Sequence, residues 1–178
     1  MADFDQAFDR MLAHEGGLQL SSVEMDRGGR TFAGISSRYW PDWPGWALVN
    51  IGAFDDPSLL ELVKDFYRDE FWDAIQGDAL LEQEVAESVF DFAVNAGITT
   101  AIKRAQEVAG ADMDGVAGPQ TIRAVNALRT SDFLPRFALA KIRRYVGICE
   151  SDTTQKKFLL GWIIRALDGV EITWRQHD

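Results

Sequence analysis

Apolar residues recur at helical spacing from the start of the chain. Phe4, Phe8, Met11 and Leu12 form one stripe, Asp3 can cap its start with Gln6 three residues on, and Gly16 with Gly17 can end it. Glu15 falls on the same stripe, four residues after Met11 and seven after Phe8. From Leu18 to Ile35 the pattern turns irregular, and Gly28 with Gly29 predicts a tight turn between short strands of a small hairpin. The stretch from Arg38 to Phe54 gathers Tyr39, Trp40, Trp43 and Trp46 around Pro41 and Pro44, which suits a packed loop better than a long helix. After Asp55, Asp56 and Pro57, Ser58 with Glu61 reads as a second capping box. It opens a helix to about Trp72 that carries Leu59, Leu62, Val63, Phe66 and Phe71.

The remainder reads as helical. Val85, Val89, Phe90, Phe92 and Ala96 put apolar groups on more than one side of a segment ending at Asn95 to Gly97, as expected of a central helix buried from several directions. Further helices are expected at about Thr100 to Ala109, Pro119 to Leu128, Asp132 to Val146 and Thr154 to Leu167, with turns at Gly110, Asp114 to Gly118 and around Ser151. The fold class is therefore mainly α, a small N-terminal hairpin region followed by a helical lobe around a central buried helix. Residues 1–78 form the expected N-terminal lobe, with Glu15 and the glycine-rich hairpin, and residues 79–178 the helical lobe, packed as one unit.

Composition narrows the chemistry. With 178 residues, 47% hydrophobic and 26% charged, the chain has the make-up of an ordinary globular protein. No apolar run reaches the roughly 18–20 residues of a transmembrane helix. The start, Met1, Ala2, Asp3 and Phe4, has the features of no signal peptide, so synthesis is expected to end in the cytoplasm. Cys149 stands alone and is expected to be a buried small residue, while His14 and His177 supply no zinc-ligand spacing. Neither a metal nor another cofactor is expected. A net charge of −10 argues against nucleic acid as a partner and against electrostatic adhesion to anionic envelopes.

The most informative chemistry lies between His14 and Ile35. Glu15 is a carboxyl on an apolar helix face, at the dipole-negative end, in an acidic chain; each effect is expected to raise its pKa. A carboxylic acid kept protonated near neutral pH is what a departing sugar oxygen requires. Asp26, with Glu24 as a reserve, is placed to stabilise an oxocarbenium-like transition state or activate water, and the Thr31 hydroxyl to orient that water. By pattern alone, a glutamate before paired glycines also suits a solvated helix end, and an aspartate beside them a plain turn. Tyr39, Trp40, Trp43 and Trp46 can stack on sugar faces or fill the core. Asn95, polar at the end of an apolar helix, needs a partner, and a sugar amide is one candidate. Arg27, Arg30 and Arg38 form a local basic patch suited to carboxylates or to a solvated turn.

Four motifs in chain order carry a family resemblance. His14, Glu15, Gly16 and Gly17, followed by Asp26, Gly28, Gly29, Thr31, Gly34 and Ile35, resemble the N-terminal signature of glycoside hydrolase family 108, the bacterial and phage N-acetylmuramidases. Tyr67, Phe71, Trp72, Asp73, Gly77 and Asp78 resemble the helix end that closes the family's N-terminal region. Asp91, Phe92, Ala93, Val94, Asn95 and Gly97 resemble the opening of its C-terminal peptidoglycan-binding region, and Asp114, Gly115, Val116, Gly118, Pro119 and Thr121 that region's turn into the next helix.

The resemblance implies an α+β lysozyme-like fold and cleavage of the β-1,4 bond between N-acetylmuramic acid and N-acetylglucosamine, with the residue matching Glu15 as the essential acid. Asp26 and Thr31 occupy places similar to those of the Asp and Thr of phage-type lysozymes. The spacing differs slightly, with ten residues between Glu15 and Asp26 and four between Asp26 and Thr31. Catalysis is expected from Glu15, Asp26 and Thr31, and substrate binding from Asn95, Tyr39, Trp40 and Arg30. The expected partner is the peptidoglycan glycan strand, met by a monomer after holin-dependent or secretion-dependent release to the wall. A lytic transglycosylase and a non-catalytic wall-binding accessory protein are the competing readings.

Overall fold

The computed structural model describes residues 1–14, 17–22 and 30–170. It is mainly helical, with one small antiparallel sheet, as a lysozyme-like fold requires. Helix α1 (Phe4–His14) starts where Asp3 accepts the Gln6 N–H at 3.1 Å. It buries Phe4, Ala7, Phe8 and Met11. Strands β1 (Leu20–Ser22), β2 (Arg30–Phe32) and β3 (Ile35–Ser36) follow in sheet order β1-β2-β3, with Leu20 opposite Phe32 and Phe32 opposite Ile35. The Gly28–Gly29 turn lies outside the described residues.

The aromatic stretch holds a short helix, α2 (Trp46–Asn50), inside the segment expected to be loop. Helix α3 (Pro57–Tyr67) is capped by Asp56, whose carboxylate accepts the Ser58 N–H at 2.9 Å, and not by Ser58. Pro57 explains the shift, because its fixed φ suits the first helical position and its missing N–H leaves nothing unsatisfied there. Beyond Tyr67 the helix widens into a π-helical turn (Arg68–Trp72), in which the Asp73 N–H reaches back to the Arg68 carbonyl at 2.9 Å. That turn aims two donors at one carboxylate: Trp72 Nε1 donates to Asp78 at 2.7 Å and Arg68 at 2.8 Å. Gly77 lies flat against the Trp72 indole.

Helix α4 (Gln83–Ala96) is the spine, packed against α1, the π-helical turn, α5 (Ile98–Ala109) and α7 (Thr130–Ser151). Its consecutive residues Phe90, Asp91 and Phe92 point about 100° apart and serve three environments. Phe90 meets Phe4, Tyr67 and Trp72; Phe92 meets Phe137 and Tyr145; Asp91 faces charged partners, His14 among them. Helix α6 (Pro119–Asn126) is tied to α5 by Gln106, fully buried, whose amide donates to Asp114, the Val116 carbonyl and Thr121 while its oxygen accepts the Gly115 N–H. Helix α7 is longer than its apolar pattern predicts, at 22 residues, and the expected Thr154 to Leu167 helix divides into a 3-10 segment (Thr153–Phe158) and α8 (Leu159–Leu167). Cys149 is buried and free, as expected.

The contact between Gly77 and Trp72 predicts its own test. A methyl at position 77 would overlap the indole ring, which its hydrogen bond to Asp78 holds in place. Gly77→Ala should cost about 2 kcal/mol or more, a fall of roughly 4–8 °C in thermal midpoint. A midpoint within about 1 °C of wild type would show that the indole yields freely.

Candidate active site

The last turn of α1 is braced by charged side chains from distant elements. Its apolar face is committed to the core, so Arg10 and His14 lie on the edge facing α4 and the C-terminal segment. Arg10 donates to Glu87 and to Asp168, both at 2.7 Å. The His14 ring places Nδ1 2.8 Å from Asp91 and Nε2 3.2 Å from Asp168. A carboxylate thus faces each ring nitrogen. Arg165 of α8 grips Asp91 in two-pronged fashion, at 3.1 Å through Nε and 2.8 Å through Nη2.

Burial alone would push Asp91 up, but the hydrogen bonds from Arg165 and His14 outweigh it and hold the carboxyl below its ordinary range. Asp168 is likewise held down, burial being outweighed by Arg10. The pocket among these groups encloses only about 20 Å³, room for about one water, so it is a lock and not a sugar site.

Lys141 closes the lock from α7. It is buried, donates to Ser88 at 2.8 Å, and lies 4.8 Å from the centre of the Phe137 ring. Desolvation, only partly offset by Asp91, pulls its pKa down to about 8.

The sheet stands beyond the end of α1. Gly17 donates back to the Leu12 carbonyl at 2.9 Å, and Ala33 donates to the Gln19 carbonyl at 3.1 Å, which ties the helix exit to the hairpin. The β2–β3 turn is Ala33–Gly34, with φ of 47° and 81°, the two left-handed residues of a type I′ turn. Alanine tolerates that conformation poorly, and the Tyr67 hydroxyl braces it by donating to the Ala33 carbonyl at 2.7 Å. Thr31 is half-buried on β2 opposite Ser36. Its neighbour Arg30 donates to Asn50 at 2.7 Å and lies over the Trp46 ring at 5.7 Å.

The tryptophans divide by role. Trp43 and Trp46 are buried, with both indole N–H groups donated to the carbonyls of Leu62 and Trp40, so these two build the wall, Trp43 at the edge of the cavity that follows. Tyr39 is exposed and Trp40 half-buried, edge-on to Phe66 at 4.9 Å. Together with Pro41 and Phe66 they line an open cavity of about 440 Å³, rimmed by Asp42, Asp65, Asp69 and Glu70. Asn95 already has a partner inside the protein. Its oxygen accepts the Tyr145 hydroxyl at 2.9 Å, and burial pushes that phenol up to about 12, keeping it a donor.

The structure thus brings Thr31 together with Arg30, and Tyr39 with Trp40, and sets Asn95 on the last turn of α4. Glu15, Asp26 and the reserve Glu24 lie outside the described residues. His14, Asp91, Arg165 and Asp168 form a charge network that spacing along the chain does not reveal. One signal is present: Asp91 interrupts Phe90 and Phe92 on an apolar helix, where no cap or turn explains a carboxylate. Among the described residues, no group of three or more His, Cys, Asp or Glu is arranged to hold a metal ion, and no helix is long and apolar enough to cross a membrane.

The comparisons with known proteins agree with this architecture. Residues 8–97 match the family model described as glycosyl hydrolase 108, and residues 100–167 match one described as a predicted peptidoglycan domain. The chain belongs to the glycosyl hydrolase 108 family. Among solved structures it is similar to that of Brucella abortus SagA, at 26% identity and a TM-score of 0.68, over 92% of this chain and 93% of that one. No curated protein matches it. Family and second region together define a glycoside hydrolase directed at peptidoglycan.

Lys141 predicts a pH signature. Its folded pKa of about 8 lies below the ordinary 10.5, so between those values the unfolded chain binds more protons and stability rises with pH. Relative to Lys141→Met, the wild type should gain on the order of 3 kcal/mol on going from pH 7.5 to 10.5, read from urea midpoints of both proteins. A difference that stays constant with pH would refute the depressed pKa.

Proposed function

We propose that the chain is an N-acetylmuramidase that hydrolyses the β-1,4 bond between N-acetylmuramic acid and N-acetylglucosamine, with Glu15 as general acid. The observation that carries the reading is the bracing of His14, the residue before Glu15, by Asp91 and Asp168 at the dipole-negative end of α1. A general acid needs a fixed direction as well as a raised pKa, because a small misplacement costs orders of magnitude in rate. Membership of the glycosyl hydrolase 108 family supplies the reaction class.

In this reading Asp26 stabilises the charge that develops at the sugar ring, and Thr31, on the strand tied to the exit of α1, orients the attacking water. Arg30, beside Thr31, and Asn95, at the end of α4, contact the substrate at the rim. Tyr39 and Trp40 supply the stacking face, supported by the open cavity that they line. Residues 1–78 carry the chemistry, residues 79–178 hold the glycan strand, and the protein acts as a monomer.

Lysis of permeabilised Gram-negative cells by wild type and Glu15→Gln tests the acid. The variant should lose at least about 100-fold in rate while still sedimenting with peptidoglycan. Activity retained within tenfold would overturn the assignment of Glu15. Mass spectrometry of the released muropeptides tests the bond and the reaction: reducing-end muramic acid is expected, and anhydro products would make the enzyme a lytic transglycosylase instead.

A further inference from the structure

We propose that the C-terminal region, matched as a peptidoglycan domain, is also a positioning element of the hydrolase: Arg165 and Asp168, acting through Asp91, His14 and Arg10, clamp the last turn of α1 and fix the direction in which the chain leaves it. The inference rests on reading Glu15 as the acid, since position 15 is where that direction matters.

Three observations converge on it. The first is connectivity. His14, Arg10, Glu87 and Asp91 all lie within residues 8–97, whereas Arg165 lies within 100–167 and Asp168 directly follows that region. The contacts therefore join the two matched regions. The second is geometry. Asp168 meets both α1 side chains, at 2.7 Å from Arg10 and 3.2 Å from His14, while Asp91 holds His14 on its other face at 2.8 Å and is itself held twice by Arg165. A helix end with unsatisfied carbonyls is where fraying starts, and cationic side chains there also favour the helix dipole. The third is exclusion. The space among these groups holds about 20 Å³, too small for any sugar, so the charges that line it are spent on one another and not on ligand.

The clamp gives the second region a role beyond holding substrate. A pure binding module would affect how often the glycan is captured; a positioning module affects how fast the captured glycan is cut. Arg165, Asp91, His14 and Asp168 are thus positioning residues, acting on the reacting centre through the backbone of α1.

The test uses the full chain with Asp168→Asn, His14→Gln and the double variant, assayed on soluble glycan oligomers and by sedimentation with peptidoglycan. Asp168 is partly exposed, with 43% of its side-chain surface accessible, so its substitution leaves the core intact. Each single variant should lose about tenfold or more in kcat with KM and sedimentation unchanged within twofold. The double variant should lose less than the product of the two single losses, because the contact between Asp168 and His14 is common to both. Unchanged kcat in Asp168→Asn, a loss confined to KM and sedimentation, or losses that multiply in the double variant would each overturn the proposal. Glu15→Gln, run alongside, separates the two readings: an inactive Glu15→Gln with a fully active Asp168→Asn overturns the clamp alone, and an active Glu15→Gln overturns the acid.

Discussion

A carboxylate set between two phenylalanines on a buried helix costs several kcal/mol unless its charge is answered in full. Asp91 meets that condition with the two-pronged Arg165 on one side and His14 on the other. Because both partners come from distant helices, satisfying this one charge fixes how α1 and α8 sit on α4. Its neighbours in sequence reinforce the arrangement. Phe90 commits one side of α4 to the aromatic cluster of Phe4, Tyr67 and Trp72, and Phe92 commits another to Phe137 and Tyr145. Three successive side chains therefore define three interfaces, and acid that protonates Asp91 would loosen the one between them. Its stabilisation is complete above the ordinary aspartate value of 3.8 and is lost as pH falls through the still lower folded value.

Helical periodicity makes most of this fold legible, because α1, α4, α5 and α6 each bury a stripe that can be counted along the chain. The features that escape it are decided by partners far away in sequence. Asp91 finds His14 and Arg165 at separations of 77 and 74 residues, and no window along the chain holds both ends. The cap of α3 differs from its pattern because Ser58 with Glu61 fits one capping arrangement while Asp56 before Pro57 fits another, and only the proline's geometry chooses. Trp40, Trp43 and Trp46 are alike in sequence. Burial separates them, since Trp43 and Trp46 are buried and spend their N–H groups on backbone carbonyls while Trp40 stays half-exposed beside an open cavity. Glu15 is legible from the apolar stripe and from its motif, Asp26 from the motif alone, and the roles proposed for them rest on that motif and on the bracing of His14.

Two of the motifs outside the first hairpin are packing corners. Gly77, Asp78 and Trp72 form one packed corner, with glycine admitting the indole and aspartate receiving its N–H. Asp114, Gly115 and Thr121 converge on the buried amide of Gln106, a residue with no mark in the sequence beyond its polarity on an apolar helix. Such clusters hold loops in shape through hydrogen bonds within the protein, and that geometry restricts which residues can stand there.

The π-helical turn after Tyr67 has a consequence for chain length. It accommodates one residue more than an α-helical turn would, so the stretch from Arg68 to Trp72 is where the loss of a single residue is most readily absorbed. Deleting one residue there would let the turn close as an α-helical one, with the chain on either side in nearly the same phase, because the wide and the ordinary turn sweep nearly the same angle. Trp72 would keep its direction toward Asp78, and Tyr67 its hold on the hairpin turn at Ala33. The attachments of the hairpin and of the helical core are thus insulated from the length of the segment that joins them.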